Sequence, residues 1–137
     1  MKRESVNPTE WGLQFSMDQG ELVQGATRHL RCSGQISAAP DSSSELGFKV
    51  VAPNDIRGQM ECALANVDAI LDNADMNRAN IVALRFFTTE VDGFLENYDV
   101  YANWIGEAEI RPPQSLIGVQ RLVLPDLVVE IEVEAAA

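Results

Sequence analysis

Residues 53–88, PNDIRGQMECALANVDAILDNADMNRANIVALRFFT, hold the clearest pattern in the chain. In the first half, apolar side chains recur at steps of three and four from Met60 to Leu71, which predicts an amphipathic helix. Asn54 or Asp55 can cap this helix by accepting a backbone N–H. The second half, from Ile81 to Thr88, is rich in β-branched and aromatic residues, which predicts a strand.

Two further strands and a second helix are predicted towards the C-terminus. The helix carries an apolar stripe and ends near Gly106; the stripe is Leu95, Tyr98, Ala102 and Ile105, with Phe94 and Tyr101 on its flank. The strands span Ser115–Leu122 and Leu127–Val133. In the second of them Glu130, Glu132 and Glu134 alternate with apolar residues. These acids cannot all lie beneath helices, so their face must meet solvent, a cleft or another subunit.

Towards the N-terminus the pattern is weaker. Leu30–Ile36 predicts a strand, and the stretch from Trp11 to Val23, broken at Asp18-Gln19-Gly20, predicts a hairpin. Ser37–Ser44 is rich in small and turn-forming residues, which predicts a surface loop. The element order indicates one α+β domain over residues 1–137, with a mixed sheet and two helices on one face.

Composition narrows the function. The 137 residues carry a net charge of −11, which disfavours nucleic-acid binding because that binding depends on Lys and Arg. The polar N-terminus and the lack of a long apolar run predict a cytoplasmic protein without a membrane span. Cys32 and Cys62 are then expected to be reduced thiols, with a disulfide or a catalytic cysteine as the alternative. No metal-binding motif or phosphate-binding glycine loop is present.

Three stretches, taken in order, resemble the RidA/YjgF family of reactive intermediate deaminases. They are Cys32–Ile36 (CSGQI); Gln59–Leu71 (QMECALANVDAIL), followed by Asn80-Ile81-Val82 and Phe87-Thr88-Thr89; and Val129–Val133 (VEIEV). Each stretch is weak alone, but their order and spacing are specific. The resemblance covers nearly the whole chain from Ser33 onwards.

The resemblance implies a chorismate-mutase-like α+β fold and a homotrimer with small-molecule clefts between subunits. It implies hydrolysis of enamines and imines of amino acids to 2-keto acids and ammonia, without a cofactor. In the family an arginine after Pro-Ala grips the substrate carboxylate, but here Pro112-Pro113 is followed by Gln114. An amide lacks the charged fork of a guanidinium. The chain therefore resembles an arginine-lacking subgroup.

The other site residues also rest on the resemblance. Glu130 would hold the attacking water, and Ser33 and Gly34 would line the cleft, although a strand end equally needs small residues. Phe15 or Trp11 would replace the family's cleft tyrosine, unless both are core residues. The remaining candidates are cationic: Arg85 would face a subunit interface or the cleft, and Arg111 or Arg121 could compensate for the lost arginine. His29 is interpreted as structural.

These observations leave two function classes open. One is a RidA-like trimer that binds a small carboxylic or imine metabolite and can hydrolyse it. The other is a non-catalytic binding or regulatory trimer, which the glutamine at position 114 favours. A ribonuclease is disfavoured by the acidic charge and by the lack of a His/Lys catalytic set.

Overall fold

The structure, a computed structural model, describes residues 1–137. Nine strands and three helices follow one another along the chain. They are β1 (Lys2–Val6), β2 (Gly20–Gln24), β3 (His29–Arg31), β4 (Gln35–Ile36), β5 (Ala38–Pro40), β6 (Phe48–Val50), α1 (Ile56–Asn73), β7 (Ile81–Thr88), α2 (Val91–Glu96), α3 (Asp99–Gly106), β8 (Gln114–Gly118) and β9 (Val129–Ala136). Short 3-10 turns lie at Leu13–Phe15 and Arg78–Asn80.

The central sheet has five strands. Four of them lie in the order β3-β9-β7-β8, and the fifth, β4, also pairs with β9. β7 runs antiparallel to β9 and parallel to β8. The sheet is therefore mixed, and α2 and α3 form the crossover between its two parallel strands. This confirms the predicted α+β class, with helices on one face of a mixed sheet.

The first predicted helix is confirmed as α1. Asp55 caps it, and its side chain accepts a hydrogen bond from the Gly58 N–H at 3.1 Å. The apolar stripe packs into one core of 17 buried residues that joins the helices to β7 and β9. The largest side chains of α1 in this core are Met60, Leu64, Val67 and Leu71. Burying each of these residues stabilises the fold by about 1.5–3 kcal/mol.

The prediction of the second helix is wrong in two respects. The chain forms two short helices, α2 and α3, with a break at Asn97 and Tyr98. The buried face is also shifted, because Phe94 and Tyr101 are fully buried whereas Leu95 is 47% exposed. Phe86 packs against both Phe94 and Tyr101, with ring centroids 5.1 and 4.9 Å apart, and burying these rings outweighs burying one leucine.

The hairpin predicted over Trp11–Val23 is wrong in its first strand, which lies earlier in the chain and outside that stretch. β1 pairs with β2 as a separate two-stranded sheet, from Lys2 opposite Gln24 to Val6 opposite Gly20. Part of the segment expected to form the first strand is instead the 3-10 turn at Leu13–Phe15. Arg3 ties the hairpin to the core by donating to the Ile81 carbonyl at 2.5 Å, and it also joins the two strands of the hairpin by donating to Glu21 at 2.6 Å.

Three smaller expectations are corrected. The segment expected to be a loop contains β5, which pairs with β6, so that only the turn between them is irregular. The strand expected over Leu30–Ile36 is interrupted at residues 32–34, and β8 ends at Gly118 rather than Leu122. Short edge segments are decided by their pairing partners rather than by their own propensity.

The two faces of the sheet differ sharply along β9. Val129, Ile131 and Val133 are buried against the helices, while Glu130, Glu132 and Glu134 lie on the opposite face and are partly exposed. No helix packs on that second face, which we call the open face. The alternation follows from the two-residue period of a strand and agrees with the sequence pattern. No helix in the structure is long and apolar enough to cross a membrane.

Candidate functional site

The predicted site residues lie on both faces of the sheet. Gln114 is in register with Leu84 of β7, which is itself opposite Val133 of β9. Both partners are buried on the helix side, so Gln114 also points to that side. Glu130 is in register with Phe87 and points to the open face. Within one chain, Gln114 and Glu130 therefore cannot line the same cleft.

On the open face, Glu130 lies directly over Gly34. A Cβ added at Gly34 would be 2.5 Å from the Cδ and 2.6 Å from the Oε2 of Glu130. The carboxylate can occupy this position only because residue 34 has no side chain. Burial, together with the negative charge of Glu132, raises the pKa of Glu130 above its ordinary value. A carboxyl group in this environment is suited to hold a water and to exchange a proton with it.

Arg85 also lies on the open face. Its Nη1 is 3.3 Å from Glu134 and 3.6 Å from Glu132. About two fifths of the Arg85 side chain is exposed, so the guanidinium retains access to solvent. The sequence left open whether Arg85 faces a subunit interface or the cleft. The structure shows that Arg85 lies on the same face as Glu130 and does not distinguish between the two. Ser33 is exposed next to Gly34, and its carbonyl accepts a hydrogen bond from the Gln35 side chain.

On the helix side, a cavity of about 210 Å³ opens beside the free edge strand β8. We call it the aromatic pocket. Its apolar walls come from the N-terminal turn, β7, β8 and α2, and consist of Trp11, Phe15, Met17, Phe86, Leu95 and Leu116. Tyr98 and Gln114 complete the lining. Trp11 is 56% exposed and Phe15 is 36% exposed, so neither is the core residue that was the alternative interpretation.

The two polar side chains of the aromatic pocket are bonded to each other and to one backbone carbonyl. The Tyr98 hydroxyl donates to the Phe15 carbonyl at 2.5 Å, and the Gln114 amide donates to the same carbonyl at 3.0 Å. The amide also donates to the Tyr98 hydroxyl. Burial raises the pKa of Tyr98, and the hydrogen bond from Gln114 partly offsets this. Gln114 thus holds the 3-10 turn that carries Phe15 against β8.

The arginines proposed as replacements have other partners. Arg111 donates to Asp18 at 3.1 Å, and Asp18 also accepts from Ser5 and Asn7. Arg121 is exposed and bonds only to the carbonyl of the next residue. Neither side chain lines the aromatic pocket. His29 is exposed in β3, and no group of three or more His, Cys, Asp or Glu side chains is placed to hold a metal ion.

Sequence reasoning missed Tyr98 as a site residue, because the expected continuous helix placed it in the core stripe. The break between α2 and α3 instead turns Tyr98 towards Phe15, with the two ring centroids 6.3 Å apart. A different depression, of about 580 Å³, is larger than the aromatic pocket. It surrounds Arg78, which is already paired with Asp68 and Glu107 at 2.7 and 2.8 Å, so this guanidinium is engaged within the chain.

The family assignment follows from comparison with known proteins. The model of the family described as Endoribonuclease L-PSP matches residues 19–137. That match includes β4, α1, β7 and β9, which hold the motifs and the open face described above. The chain belongs to the endoribonuclease L-PSP (Rid/YjgF/RutC) family. The fold and the resemblance inferred from the sequence are confirmed at this level.

Relatives of this chain come from several bacteria. A RutC family protein of Aquifex aeolicus is 33% identical over 106 residues, which cover 77% of this chain and 76% of the relative. The crystal structure of the Rid family protein YyfB from Yersinia pestis, described as of unknown function, superposes with a TM-score of 0.79 at 27% identity, over 100% of both chains.

A third relative carries a chemical description. "Putative reactive intermediate deaminase TdcF" of Escherichia coli K12 is 29% identical over 121 residues, 86% of each chain. The crystal structure of Escherichia coli TdcF with bound serine superposes with a TM-score of 0.68 at 29% identity, and covers 88% of this chain and 87% of TdcF.

Proposed function

We propose that this protein is a homotrimer of an arginine-lacking Rid subgroup that binds a small carboxylic or imine metabolite between subunits and hydrolyses it slowly. The trimer would act in the cytoplasm, on small molecules rather than nucleic acid. The description of TdcF as a deaminase, and the serine bound to it, support this ligand class.

The observation that carries the proposal is the half-buried Glu130 over Gly34 on the open face. Its pKa is raised towards neutral pH, and a general base is most effective when its pKa lies near the pH at which it works. A polar face that no helix covers is also the surface left for a second subunit. Because Gln114 lies on the other side of the sheet, a cleft containing both residues requires Glu130 from one subunit and Gln114 from another.

The reaction needs few parts. Glu130 accepts a proton from water while the water oxygen attacks the carbon of the C=N bond. The nitrogen takes that proton from Glu130, which leaves a carbinolamine. The hydroxyl proton of the carbinolamine then passes through Glu130 to the nitrogen as the C–N bond breaks, so that ammonia leaves and a 2-keto acid remains. Orientation of the imine supplies much of the rate. The glutamine at position 114 offers no positive charge to hold the substrate carboxylate and so to orient the imine. Each missing charge-assisted hydrogen bond weakens capture by about 1.5–3 kcal/mol.

A coupled assay tests this function. An amino-acid dehydratase generates the imine in situ, and its hydrolysis is followed for wild type and variants. We expect slow turnover by wild type, a rise of roughly tenfold or more in kcat/KM for Gln114→Arg, and loss of turnover for Glu130→Ala. Glu45→Ala, which removes an exposed acid from the β5–β6 turn, is the control. Fast turnover that neither site variant changes would show that the site lies elsewhere.

The second candidate is a non-catalytic binding trimer, and the observation that favours it is the engagement of Gln114. The amide is used to hold Phe15 and Tyr98, which is a structural task. In this case metabolites would bind saturably to wild type, but Gln114→Arg would produce no turnover.

A further inference from the structure

We propose that the aromatic pocket binds the uncharged apolar part of the ligand, a ring or a branched aliphatic group, and rejects carboxylates. This inference rests on the proposed function for its ligand class and deepens it by assigning the ligand's apolar end to this pocket. The carboxylate must then point out of the pocket. Three features of the pocket support this assignment: the hydrogen bonds of Gln114, the charge of the lining and the size of the cavity.

Gln114 has no donor left for an anion in this arrangement. Its amide nitrogen donates to the Phe15 carbonyl at 3.0 Å and to the Tyr98 hydroxyl, and its Oε1 is buried without a partner. The opposite amide orientation would place Oε1 against the Phe15 carbonyl oxygen, two acceptors 3.0 Å apart, and is therefore excluded. The Tyr98 hydroxyl is likewise committed, because it donates to the Phe15 carbonyl at 2.5 Å.

The lining offers no positive charge. Seven of the eight lining residues are apolar or aromatic, and the eighth is Gln114. Arg111 is turned away towards Asp18, and the protein as a whole carries a net charge of −11. A carboxylate entering this pocket would lose its hydration and gain neither a cation nor a free donor, which makes its transfer from water unfavourable.

The cavity has the size of one ring. A dry cavity of about 150 Å³ lined by aliphatic and aromatic residues is known to take up benzene, and the aromatic pocket measures about 210 Å³. Its mouth is formed by half-exposed apolar side chains, Trp11 at 56% and Leu95 at 47%. An apolar ring gains burial at this mouth and can stack edge-on against Phe15 and Tyr98, as these two rings already do with each other.

The test uses two probes of equal size that differ in charge, 2-phenylethanol and phenylacetate. Each is titrated into the full-length protein while the two indole N–H signals are followed by NMR, with Trp11 assigned by substitution. Leu95→Trp is designed to fill the mouth, and Leu46→Trp, at a position that is 61% exposed outside the pocket, is its matched control. Gln114→Arg introduces a cation.

We expect wild type to bind 2-phenylethanol at least tenfold more tightly than phenylacetate. Leu95→Trp should weaken this binding at least tenfold, Leu46→Trp should leave it unchanged, and Gln114→Arg should make phenylacetate the tighter ligand. Equal or tighter binding of phenylacetate by wild type, or binding of neither probe, would overturn the inference. These results are independent of the imine assay: ring binding without hydrolysis would refute only the enzymatic function, and hydrolysis without ring binding would refute only the inference.

Discussion

At the scale of single residues, the hydroxyl of Tyr101 is an anomaly in the core. The side chain is fully buried, packs against Phe86, Tyr98 and Trp104, and its oxygen has no hydrogen-bond partner. Burial, with a contribution from Tyr98, raises its pKa far above the ordinary value, so the group stays neutral. Tyr98, three residues earlier in the break before α3, differs from Tyr101 because its hydroxyl both donates and accepts a hydrogen bond.

This contrast gives a matched pair of tyrosine-to-phenylalanine changes. Tyr101→Phe removes an unsatisfied buried hydroxyl and is expected to raise the free energy of unfolding by about 1 kcal/mol or to leave it unchanged. Tyr98→Phe breaks real hydrogen bonds and should lower that free energy by about 0.5–1.5 kcal/mol. Urea unfolding monitored by circular dichroism measures both. Equal losses for the two variants would mean that Tyr101 has a partner after all.

The contact between Gly34 and Glu130 gives a second residue-scale prediction. In wild type, Gly34→Ala forces the Glu130 carboxylate to move and should destabilise the fold. In a Glu130→Ala background the clash is gone, and alanine should be neutral or stabilising because it restricts the unfolded chain. We expect a coupling energy of about 1 kcal/mol from this double-mutant cycle. Additive effects would contradict the contact.

At the scale of elements, Gln59 joins α1 to the segment that leads into β9. It is fully buried. Its amide nitrogen donates to the carbonyls of Ala52 and Asp126 at 3.0 and 2.7 Å, and its Oε1 accepts from the Val128 N–H at 2.9 Å. This one side chain satisfies three backbone groups, and it fixes the start of the strand that carries Glu130.

Replacing Gln59 should therefore be costly. Gln59→Leu keeps the volume but leaves three backbone groups without their partner, at about 1–3 kcal/mol for each group that stays dry. We expect a loss of at least about 2 kcal/mol in the free energy of unfolding. Gln24→Leu, on the exposed edge of β2, serves as the control and should stay within about 0.5 kcal/mol. A loss no larger than the control would contradict this role.

Two acids should respond to pH with opposite signs. The raised pKa of Glu130 means that its ionised form destabilises the fold, and this penalty disappears as the pH falls through that pKa. For Asp18, burial alone would raise the pKa, but hydrogen bonds from Ser5, Asn7 and Arg111 outweigh it and lower the pKa below 3.8. Its ionised form therefore stabilises the fold at every pH above about 4.

We expect Glu130→Gln to be more stable than wild type at neutral pH, with the advantage vanishing near pH 4. Asp18→Asn should be less stable than wild type at neutral pH, and its deficit should persist down to about pH 4 and shrink only below it. Urea unfolding at several pH values separates the two. A Glu130→Gln advantage that grows on acidification would have the wrong sign for a carboxyl group with a raised pKa.

At the scale of the whole molecule, the open face is the feature that a single chain leaves unexplained. Its three acids and Arg85 form a charged but partly paired surface. Native mass spectrometry at micromolar concentration should detect three times the 15.0 kDa of the chain. Arg85→Glu places a fourth acid among Glu132 and Glu134, and like charges directly opposite in a sheet repel.

Arg85→Glu should therefore raise the concentration at which the trimer dissociates at least tenfold. Arg57→Glu, a matched reversal on the exposed surface of α1, should leave assembly unchanged. A monomeric mass for wild type would refute the trimer, and equal effects of the two reversals would refute the open face as its interface.

The sequence alone determined α1, β7 and the alternating acids of β9, because the hydrophobic periodicity there is strong and needs no distant partner. Together with three ordered motifs it also determined the family. Only the tertiary structure decided that Gln114 and Glu130 face opposite sides of the sheet, since that depends on the register of β8 against β7. Three further features depend on contacts between residues far apart in the chain, which no local pattern encodes. They are the break before α3, the aromatic pocket that Tyr98 and Gln114 help to build, and the position of the Glu130 carboxylate over Gly34.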